Sequence, residues 1–424
     1  MGEQTTDADP GTVADEAWLV PGVRAIGAAS LFSDLGHEIP TALLPSFLTA
    51  TLGAPAAALG LIEGIADGAA GVARFVGGPL ADDPGRRQRV AVGGYVTTAI
   101  ASSAIGLAGA AWQVGILRSV AWAARGVRGP ARNALLADIA PPAAYGRAYG
   151  FERAMDNLGA IGGPLLALGL VALLGVRTAI ELSVIPGLIA AIAIIAAVRA
   201  APKLTQREPR PLRIHVRPLL HDRLGELLVG ISAFELGNAA ATLLILRATQ
   251  LLTPAHGHDA AVKIALALYA LYNLAATLIA IPGGKLNDRR GSLLVLALGA
   301  AAFTGSFAGL ALTSSNIALI ALFFILGGLG IGLGETAQSA AIATLAPVEL
   351  RGSAFGLVAA VQSFANLTAS AIAGLLWTLV SARAGLLYLT GWSALALLAF
   401  TLTGATHRRD GQGPRSTPTP TEHD

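Results

Sequence analysis

Twelve apolar runs, each long enough to cross a lipid bilayer as a helix, occupy most of this chain of 424 residues. A spanning helix needs about 20 apolar residues, because the hydrocarbon core of a bilayer is about 30 Å thick. Composition agrees, since only 13% of the residues are charged, against about 25% in soluble domains. The sequence therefore predicts an all-α polytopic membrane protein with twelve transmembrane helices. The runs are 23–49, 56–80, 89–109, 112–137, 147–174, 178–199, 224–251, 263–284, 292–312, 316–343, 352–379 and 384–404.

Two pairs of connecting segments show that the chain is internally duplicated. Segment 78–87 reads GPLADDPGRR and segment 284–291 reads GKLNDRRG, while PPAAYGRAYG at 141–150 recurs as PVELRGSAFG at 347–356. Both pairs are 206 residues apart, so one duplication explains both matches. It predicts two six-helix bundles, 21–200 and 223–405, joined by a linker at 201–222. In transporters built from such repeats, the substrate site lies between the repeats near the bilayer midplane.

Basic residues predict the orientation of the chain in a cell membrane. Alternate connections carry fifteen Lys and Arg on one side against three on the other, and the richer side faces the cytoplasm. We therefore expect a cytoplasmic N-terminal tail at 1–20 and a disordered cytoplasmic C-terminal tail at 406–424. The net charge of +3 reflects this asymmetry, and no basic stripe with interleaved aromatic residues indicates nucleic-acid binding.

Several classes of function have no sequence signal. The chain contains no cysteine, which excludes disulfides and thiolate metal sites. The glycine-rich run at 327–334 lacks the Lys-Ser/Thr pair of a phosphate-binding loop. We therefore expect no enzyme and no cofactor, but a monomer whose partners are a small-molecule substrate, protons and membrane lipids.

The two repeated loops resemble the signature that the major facilitator superfamily carries between its second and third helices, Gly-x-Leu-Ala-Asp-Arg-x-Gly-Arg-Arg. The resemblance implies two bundles that rock around a central cavity, with these loops as a cytoplasmic gate. A carboxylate at such a hairpin can cap a neighbouring helix N-terminus and pair with the loop arginines, although a simple hairpin staple remains an alternative. The matching gate residues are Gly78, Asp82, Gly85, Arg86 and Arg87 in the first copy, and Gly284, Asp288, Arg289 and Gly291 in the second.

The fifth run is similar to the antiporter signature of the same superfamily, Gly-x8-Gly-x3-Gly-Pro-x2-Gly-Gly. It matches at Gly150, Gly159, Gly163 and Pro164, but has Ala167 and Leu168 in place of the last two glycines. The resemblance implies proton-coupled antiport. Glycine and proline also allow a helix to bend, so these residues are a candidate hinge, with ordinary close packing as the equal alternative.

The fourth run carries four arginines. Arg118 stands where the superfamily's fourth helix has the arginine of Arg-x-x-Gln-Gly, and the following residues resemble an Arg-Gly-x-Arg-x-Pro-x-Arg core found in a bacterial branch. Because an arginine inside lipid costs at least ~2.5 kcal/mol, Arg118 is expected to partner a coupling acid, clamp an anionic substrate or form a structural ion pair. Arg125 is a further candidate for the cavity, whereas Arg128 and Arg132 are expected to reach the cytoplasmic surface.

Acidic residues inside the runs predict a proton-coupling or substrate cavity. Asp34, His37 and Glu38 share one helical face in the first run. Crowded carboxyls cannot all stay charged away from water, and histidine titrates near neutral pH, so this face suits a proton carrier. A metal site on these three residues is a weaker alternative, because no second ligand cluster accompanies them. The other cavity candidates are Glu63, Asp67, Glu235, Asn238 and Glu335, and Glu235 occupies the Asp34 position of the second repeat.

Three functional hypotheses follow from these features. The buried acids and the partial antiporter signature favour a proton-coupled efflux antiporter for a small organic molecule, drug-like or metabolite. The arginines of the fourth run favour a facilitator or proton symporter for an anionic metabolite. A membrane sensor or scaffold without transport is the third hypothesis.

Overall fold

The structure, a computed structural model, describes residues 18–202, 217–220, 222–238 and 241–410. These residues form α-helices with short π and 3-10 turns, and the described part contains no strand. The predicted tails and linker lie largely outside it, at 1–17, 203–216 and 411–424. The helices are α1 Pro21–Ser46, α2 Ala56–Ala81, α3 Pro84–Ala104, α4 Ala111–Ile139, α5 Tyr145–Leu174, α6 Val176–Leu182, α7 Val184–Ala200, α8 Asp222–Leu236, α9 Ala241–His256, α10 His258–Arg290, α11 Ser292–Leu312, α12 Ile317–Leu345, α13 Arg351–Leu379 and α14 Ala382–Asp410.

The twelve predicted spans are confirmed, and two of them consist of two helices each. The sixth span is divided at Ser183 into α6 and α7, and Pro186, which has no N–H to donate, lies in the first turn of α7. The seventh span is divided into α8 and α9 after the turn at Gly237. The last helix, α14, continues to Asp410 and so enters the predicted C-terminal tail.

Among the residues that the structure describes, eight helical segments are long and apolar enough to cross a membrane by length and composition. Helices α1, α2 and α4 are not among them, and each carries several charged side chains. Charges inside a span are costly unless they face the protein interior or a water-filled cavity. We therefore expect these three helices to mark the interior of the first half.

The helices pack within each half and across one interface. In the first half α1 packs against α5 and α7, and α4 packs against α2 and α3; in the second half α12 packs against α10 and α11, and α14 against α11. Between the halves, α5 lies against α10 and α12, while α13 lies against α2 and α4. The pairs α5 with α10 and α2 with α13 are equivalent under the duplication, so the interface repeats the internal symmetry of the sequence.

Candidate functional site

Each repeated loop carboxylate lies at the N-terminus of a helix of the opposite half. Asp82, at the end of α2, accepts hydrogen bonds from the backbone N–H of Ser353 (2.8 Å) and from its hydroxyl, in the first turn of α13. Asp288, near the end of α10, accepts from the backbone N–H of Gly146 (2.6 Å) and from Nε of Arg147 (2.9 Å), in the first turn of α5. Helix N-termini favour carboxylates because their first N–H groups are unpaired and carry partial positive charge. The two caps therefore join the halves at the end of the bundle that carries the repeated loops, called here the loop end.

Glycines allow the backbones of the two halves to touch beside these caps. A Cβ atom added to Gly78 would lie 3.0 Å from the carbonyl oxygen of Gly352, and one added to Gly284 would overlap the carbonyl oxygen of Gly146. At Gly291 the backbone φ is +85°, which favours glycine, and this residue ends α10. Small residues at helix crossings permit such close approach inside a membrane.

The loop arginine Arg87 pairs with a carboxylate of α4 rather than with the cap Asp82. Arg87 is buried, forms an ion pair with Asp138 of α4 and donates from Nε to the carbonyl oxygen of Ala81 (2.6 Å). The backbone N–H of Arg86 donates to Asp83, which caps the start of α3 (2.9 Å). Gly85 also lies in the first turn of α3, and Arg289 is exposed at the end of α10.

Arg118 is enclosed by side chains of α1, α2 and α4. Its guanidinium contacts Glu63 (Nη2 to Oε1, 3.0 Å), donates to the hydroxyl of Thr41 (3.0 Å) and lies 3.4 Å from the centroid of the Trp122 ring. The indole N–H of Trp122 in turn donates to Asp67 (2.9 Å). An ion pair combined with a cation–π contact holds a guanidinium in one position. Among the three roles expected for this arginine, the structure displays an ion pair with an acid.

The face predicted on α1 is divided between two sets of partners. Asp34 forms a two-pronged ion pair with Arg125 of α4, at 2.8 and 3.0 Å. The His37 ring packs on Trp122, with 4.2 Å between centroids, and its Nε2 lies 3.7 Å from Glu38. The Glu38 side chain is 25% exposed, whereas Asp34 and His37 are buried. No three His, Cys, Asp or Glu side chains come together as metal ligands in the described ranges.

The expectation that Arg128 and Arg132 reach the cytoplasmic surface is wrong. Arg128 is buried, donates to the hydroxyl of Ser33 and lies 3.9 Å from the centroid of the Tyr95 ring. Arg132 forms an ion pair with Glu152 of α5 (2.7 Å). Hydrogen bonds and ion pairs inside the first half offset the cost of burying these charges, so the side chains need not extend to water.

Glu235 is the second-half carboxylate that corresponds to Asp34, and only amides hold it. The residue is 1% exposed. Its carboxylate accepts hydrogen bonds from Gln338 (2.9 Å), Gln362 (3.2 Å) and Asn238 (3.2 Å). The two glutamines are also hydrogen-bonded to each other (2.8 Å). Within the described residues, Glu235 forms no ion pair with a Lys, Arg or His side chain.

The duplication relates this amide cluster to charged residues of the first half. Gln338 and Gln362 lie 206 residues after Arg132 and Asp156. Arg132 and Asp156 are 3.6 Å apart, beside Asp34. The sequence alone did not identify the two glutamines, because neutral amides stand out less than charged residues within an apolar run. The offset of 206 residues was the signal that could have found them.

One ion pair crosses between the halves away from the loops. Arg153 of α5 contacts Glu335 of α12 (3.0 Å) and also Asp156 on its own helix (3.1 Å). Arg74 of α2 donates to the hydroxyl of Ser363 on α13, on the other side of the interface. The predicted cavity residue Glu335 is thus paired, and both of these contacts must break if the halves separate at the loop end.

The glycines of α5 serve close packing in this structure. Gly150 faces the backbone of Ala280 on α10, so that any Cβ would overlap its carbonyl oxygen. Gly159 and Gly163 lie against the backbone of α1 in the same way. Helix α5 is continuous through Pro164. These contacts are those of a close-packing role for the glycines, while the hinge role stays a prediction.

The profile of the Major Facilitator Superfamily matches residues 26–263 and 228–422, which together cover nearly all of the chain. The chain belongs to this superfamily. It is therefore a multi-pass membrane protein of a family of transporters, with the twelve-helix fold of that family.

Relatives and solved structures agree with this assignment. An uncharacterized MFS-type transporter of Methanocaldococcus jannaschii is 28% identical over 368 residues, which are 85% of this chain and 89% of the relative. An uncharacterized protein of Mycobacterium bovis is 28% identical over 362 residues, 84% of this chain and 86% of the relative.

Three solved structures share the fold at low identity. A bacterial homologue of the iron transporter ferroportin, in an outward-facing state, has a TM-score of 0.72 at 14% identity, covering 91% of this chain and 99% of its own. The E. coli fucose:proton symporter has a TM-score of 0.71 at 14% identity with the same coverage. The human organic anion transporter MFSD10 has a TM-score of 0.67 at 16% identity, covering 90% of this chain and 99% of its own.

Proposed function

We propose that this chain is a proton-coupled antiporter that expels a small organic molecule by alternating access. The observation that carries the proposal is Glu235, a buried carboxylate held by three side-chain amides without a cation. A buried, unpaired carboxylate is costly in its charged form, and uptake of a proton removes that charge. A glutamine amide offers both a donor and an acceptor, so Gln338 and Gln362 suit the charged and the neutral form alike.

Accessible acids supply the substrate side of this proposal. Glu335 is paired with Arg153, whereas Glu38 is 25% exposed and Asp67 is exposed, and neither of these two forms an ion pair with Lys or Arg within the described residues. Arg118 and Arg125, in contrast, already pair with acids of α1 and α2. The charge left available therefore favours a neutral or cationic organic molecule.

In this proposal the loop end is the part of the molecule that opens and closes during transport. The caps formed by Asp82 and Asp288 hold the halves together there, and the Arg153–Glu335 ion pair joins them further along the interface. With the orientation predicted from the basic residues, both termini and this closed end face the cytoplasm of a cell. Breaking the same contacts opens the cavity to that side.

A symporter or facilitator for an anionic metabolite is the second candidate. It is favoured by Arg128 and Arg74, whose described partners are hydroxyls and a tyrosine ring but no carboxylate. These two guanidinium groups remain available to balance an anion. In other proteins the same fold accommodates an organic anion as substrate, as in the transporter MFSD10, and coupling to protons, as in the fucose:proton symporter.

Proton movement in proteoliposomes separates these candidates. Vesicles that contain the pH-sensitive dye pyranine are mixed with tetraphenylphosphonium or ethidium as cationic probes, or with benzoate as an anionic one. Antiport predicts that protons move opposite to a cationic probe. Proton movement in the same direction as benzoate that exceeds the movement in protein-free vesicles would favour the symporter. Protein-dependent flux of any probe without proton movement would favour the facilitator.

The variant Glu235→Gln tests the residue that carries the proposal. We expect it to lose proton-driven uphill accumulation while exchange of labelled probe at equal concentrations partly survives. Glu226→Gln, which changes an exposed acid on the same helix, is the matched control. Undiminished uphill accumulation by Glu235→Gln would remove this carboxyl from the coupling mechanism.

A further inference from the structure

A cavity of ≈ 340 Å³ opens beside Asp288 at the loop end, and the proposed transport cycle does not use it. Its walls come from both halves, because the segment that leads into α5 lies against α8, α10, α11 and α12. Most of its lining is apolar or hydroxylic. The lining includes Tyr145, Arg223, Leu227, Asn287, Leu293 and Thr344.

The duplication shows why this space is empty of protein atoms. Leu293 and Thr344 lie 206 residues after Arg87 and Asp138. In the first half those two residues form a buried ion pair, and Arg87 also donates to the carbonyl oxygen of Ala81. A leucine and a threonine cannot form that pair, so the equivalent place in the second half lacks the guanidinium group that fills the first-half site.

Asn287 supplies an unused hydrogen-bond acceptor on the cavity wall. The residue is 8% exposed, and its Oδ1 has no hydrogen-bond partner among the described residues. A buried acceptor without a partner is unfavourable, and a donor on a bound molecule would satisfy it. Leu227 and Leu293 provide apolar surface within the same cavity. A ligand that fits this cavity therefore needs a hydrogen-bond donor at one end and a short apolar group at the other.

We propose that this cavity binds a small amphipathic molecule whose polar end carries hydroxyl donors, and that the bound molecule holds the loop end closed. Tyr145 belongs to the first half, whereas Asn287 and Leu293 belong to the second, so the complete cavity exists only while the halves are together. A ligand that binds one conformation shifts the population toward it. This effect on conformation rests on the proposed alternating access, whereas the binding itself does not.

Thermal unfolding of the full chain in phosphatidylcholine nanodiscs tests the binding. The probe is 1-monooctanoylglycerol, which has two free hydroxyls, and the matched control is methyl octanoate, which has none. We expect a concentration-dependent rise in Tm with the first compound only. Asn287→Leu should weaken the apparent affinity for 1-monooctanoylglycerol by about tenfold. Equal shifts with the two compounds, or no shift with the wild-type protein, would overturn the proposal.

A second pair of variants keeps the test informative if Asn287→Leu does not fold. Leu293→Trp fills the cavity, while Leu298→Trp places the same ring on an outward-facing part of α11, where Leu298 is 43% exposed. We expect the first variant alone to abolish the probe-dependent shift in Tm, and an unchanged shift in Leu293→Trp would contradict the site.

The lipid composition of the nanodiscs then identifies the source of the natural ligand. Phosphatidylglycerol carries two headgroup hydroxyls, whereas phosphatidylcholine carries none. A rise in Tm in phosphatidylglycerol without added probe, lost in Leu293→Trp, assigns the site to a membrane lipid. A probe effect without this lipid effect assigns it to a soluble amphipathic molecule.

Discussion

At the residue scale, the arginines of α4 are paired within the first half, each with an acid or hydroxyl of α1, α2 or α5. This arrangement explains how four charges are tolerated in one span, because each guanidinium exchanges water for directed contacts. The contacts are Arg118 with Glu63, Arg125 with Asp34, Arg128 with Ser33 and Arg132 with Glu152.

Replacing Arg118 tests the value of one such contact. Arg118→Ala leaves the Glu63 carboxylate without its cation and Trp122 without its stacking partner, so we expect the free energy of unfolding to fall by about 1–3 kcal/mol. Arg118→Lys should fall between this variant and the wild type, since it keeps the charge but not the planar fork. Denaturant unfolding in mixed micelles measures the difference, with the exposed Arg89→Ala as control. Wild-type stability and transport in Arg118→Ala would show that Arg118 has only a packing role.

The charge of a single cap can also be removed without changing its shape. Asp82→Asn keeps the size of the side chain but removes the negative charge at the N-terminus of α13. Because burial raises the pKa of the Asp82 carboxyl, a neutral side chain favours the closed loop end, so we expect slower turnover in vesicles together with normal membrane insertion. Asp83→Asn is the control, because Asp83 caps α3 of its own half and not the opposite one. A wild-type transport rate in Asp82→Asn would discard the gating role of this loop.

At the element scale, α5 faces both halves. Gly159 and Gly163 lie against α1 in its own half, whereas Gly150 lies against α10 in the other. A helix with small residues on two faces can approach two neighbours closely. Arg147 and Arg153 of α5 also pair with acids of the second half, so we expect α5 to transmit a change beside Asp34 to the loop end.

Gly150→Ala measures the closeness of the contact between the halves. Its Cβ would overlap the carbonyl oxygen of Ala280, so we expect the loop end to open and the Tm of the closed form to fall. Gly169→Ala on the same helix is the matched control, since a Cβ there meets no atom within 4 Å and alanine favours helix. Protease accessibility of the loop segments reports the opening. Equal accessibility in the two variants would show that the α5–α10 contact does not limit closure.

At the scale of the whole molecule, the duplication produces two caps but not two equal gates. Both halves present an aspartate to the opposite helix N-terminus. On the first-half side alone, Asp138 also binds Arg87 and lies 3.9 Å from Arg351 of the second half. The equivalent position on the other side is the cavity beside Asp288. The two sides of the loop end therefore differ in strength, and we expect the side with the cavity to separate first.

The closed loop end should also respond to pH through Asp82. Burial raises the pKa of the Asp82 carboxyl, while its hydrogen bonds from Ser353 oppose the shift. A carboxyl whose pKa is higher in the closed form binds its proton more tightly there, so acid favours closure and this contribution is lost as pH rises through the raised value. We therefore expect the closed population to increase as the pH is lowered through the raised pKa of Asp82.

Spin-label distances can follow this population directly. The chain has no cysteine, so Arg89→Cys with Val348→Cys introduces the only two labels, both exposed and on different halves. The short-distance fraction should rise on acidification, and adding Asp82→Asn to this pair should reduce the response. A distance distribution that does not change with pH in either protein would contradict the assignment.

The sequence by itself determined the fold class and the position of nearly every helix. The reason is physical: a bilayer imposes a minimum apolar length on each span, and this length is visible in a single sequence without knowledge of any contact. The repeated loops likewise predicted that Asp82 and Asp288 would cap helices, because a helix N-terminus attracts a carboxylate in any tertiary setting.

Tertiary structure alone decided the partners of the buried polar groups. Arg128 and Arg132 were expected at the surface, yet Arg128 is buried and Arg132 is only 13% exposed, because Ser33 and Glu152 on other helices face them. The amides around Glu235 come from three separate segments of the chain. Whether a buried charge is balanced depends on groups that only helix packing brings within hydrogen-bond distance, and neither periodicity nor composition records that packing.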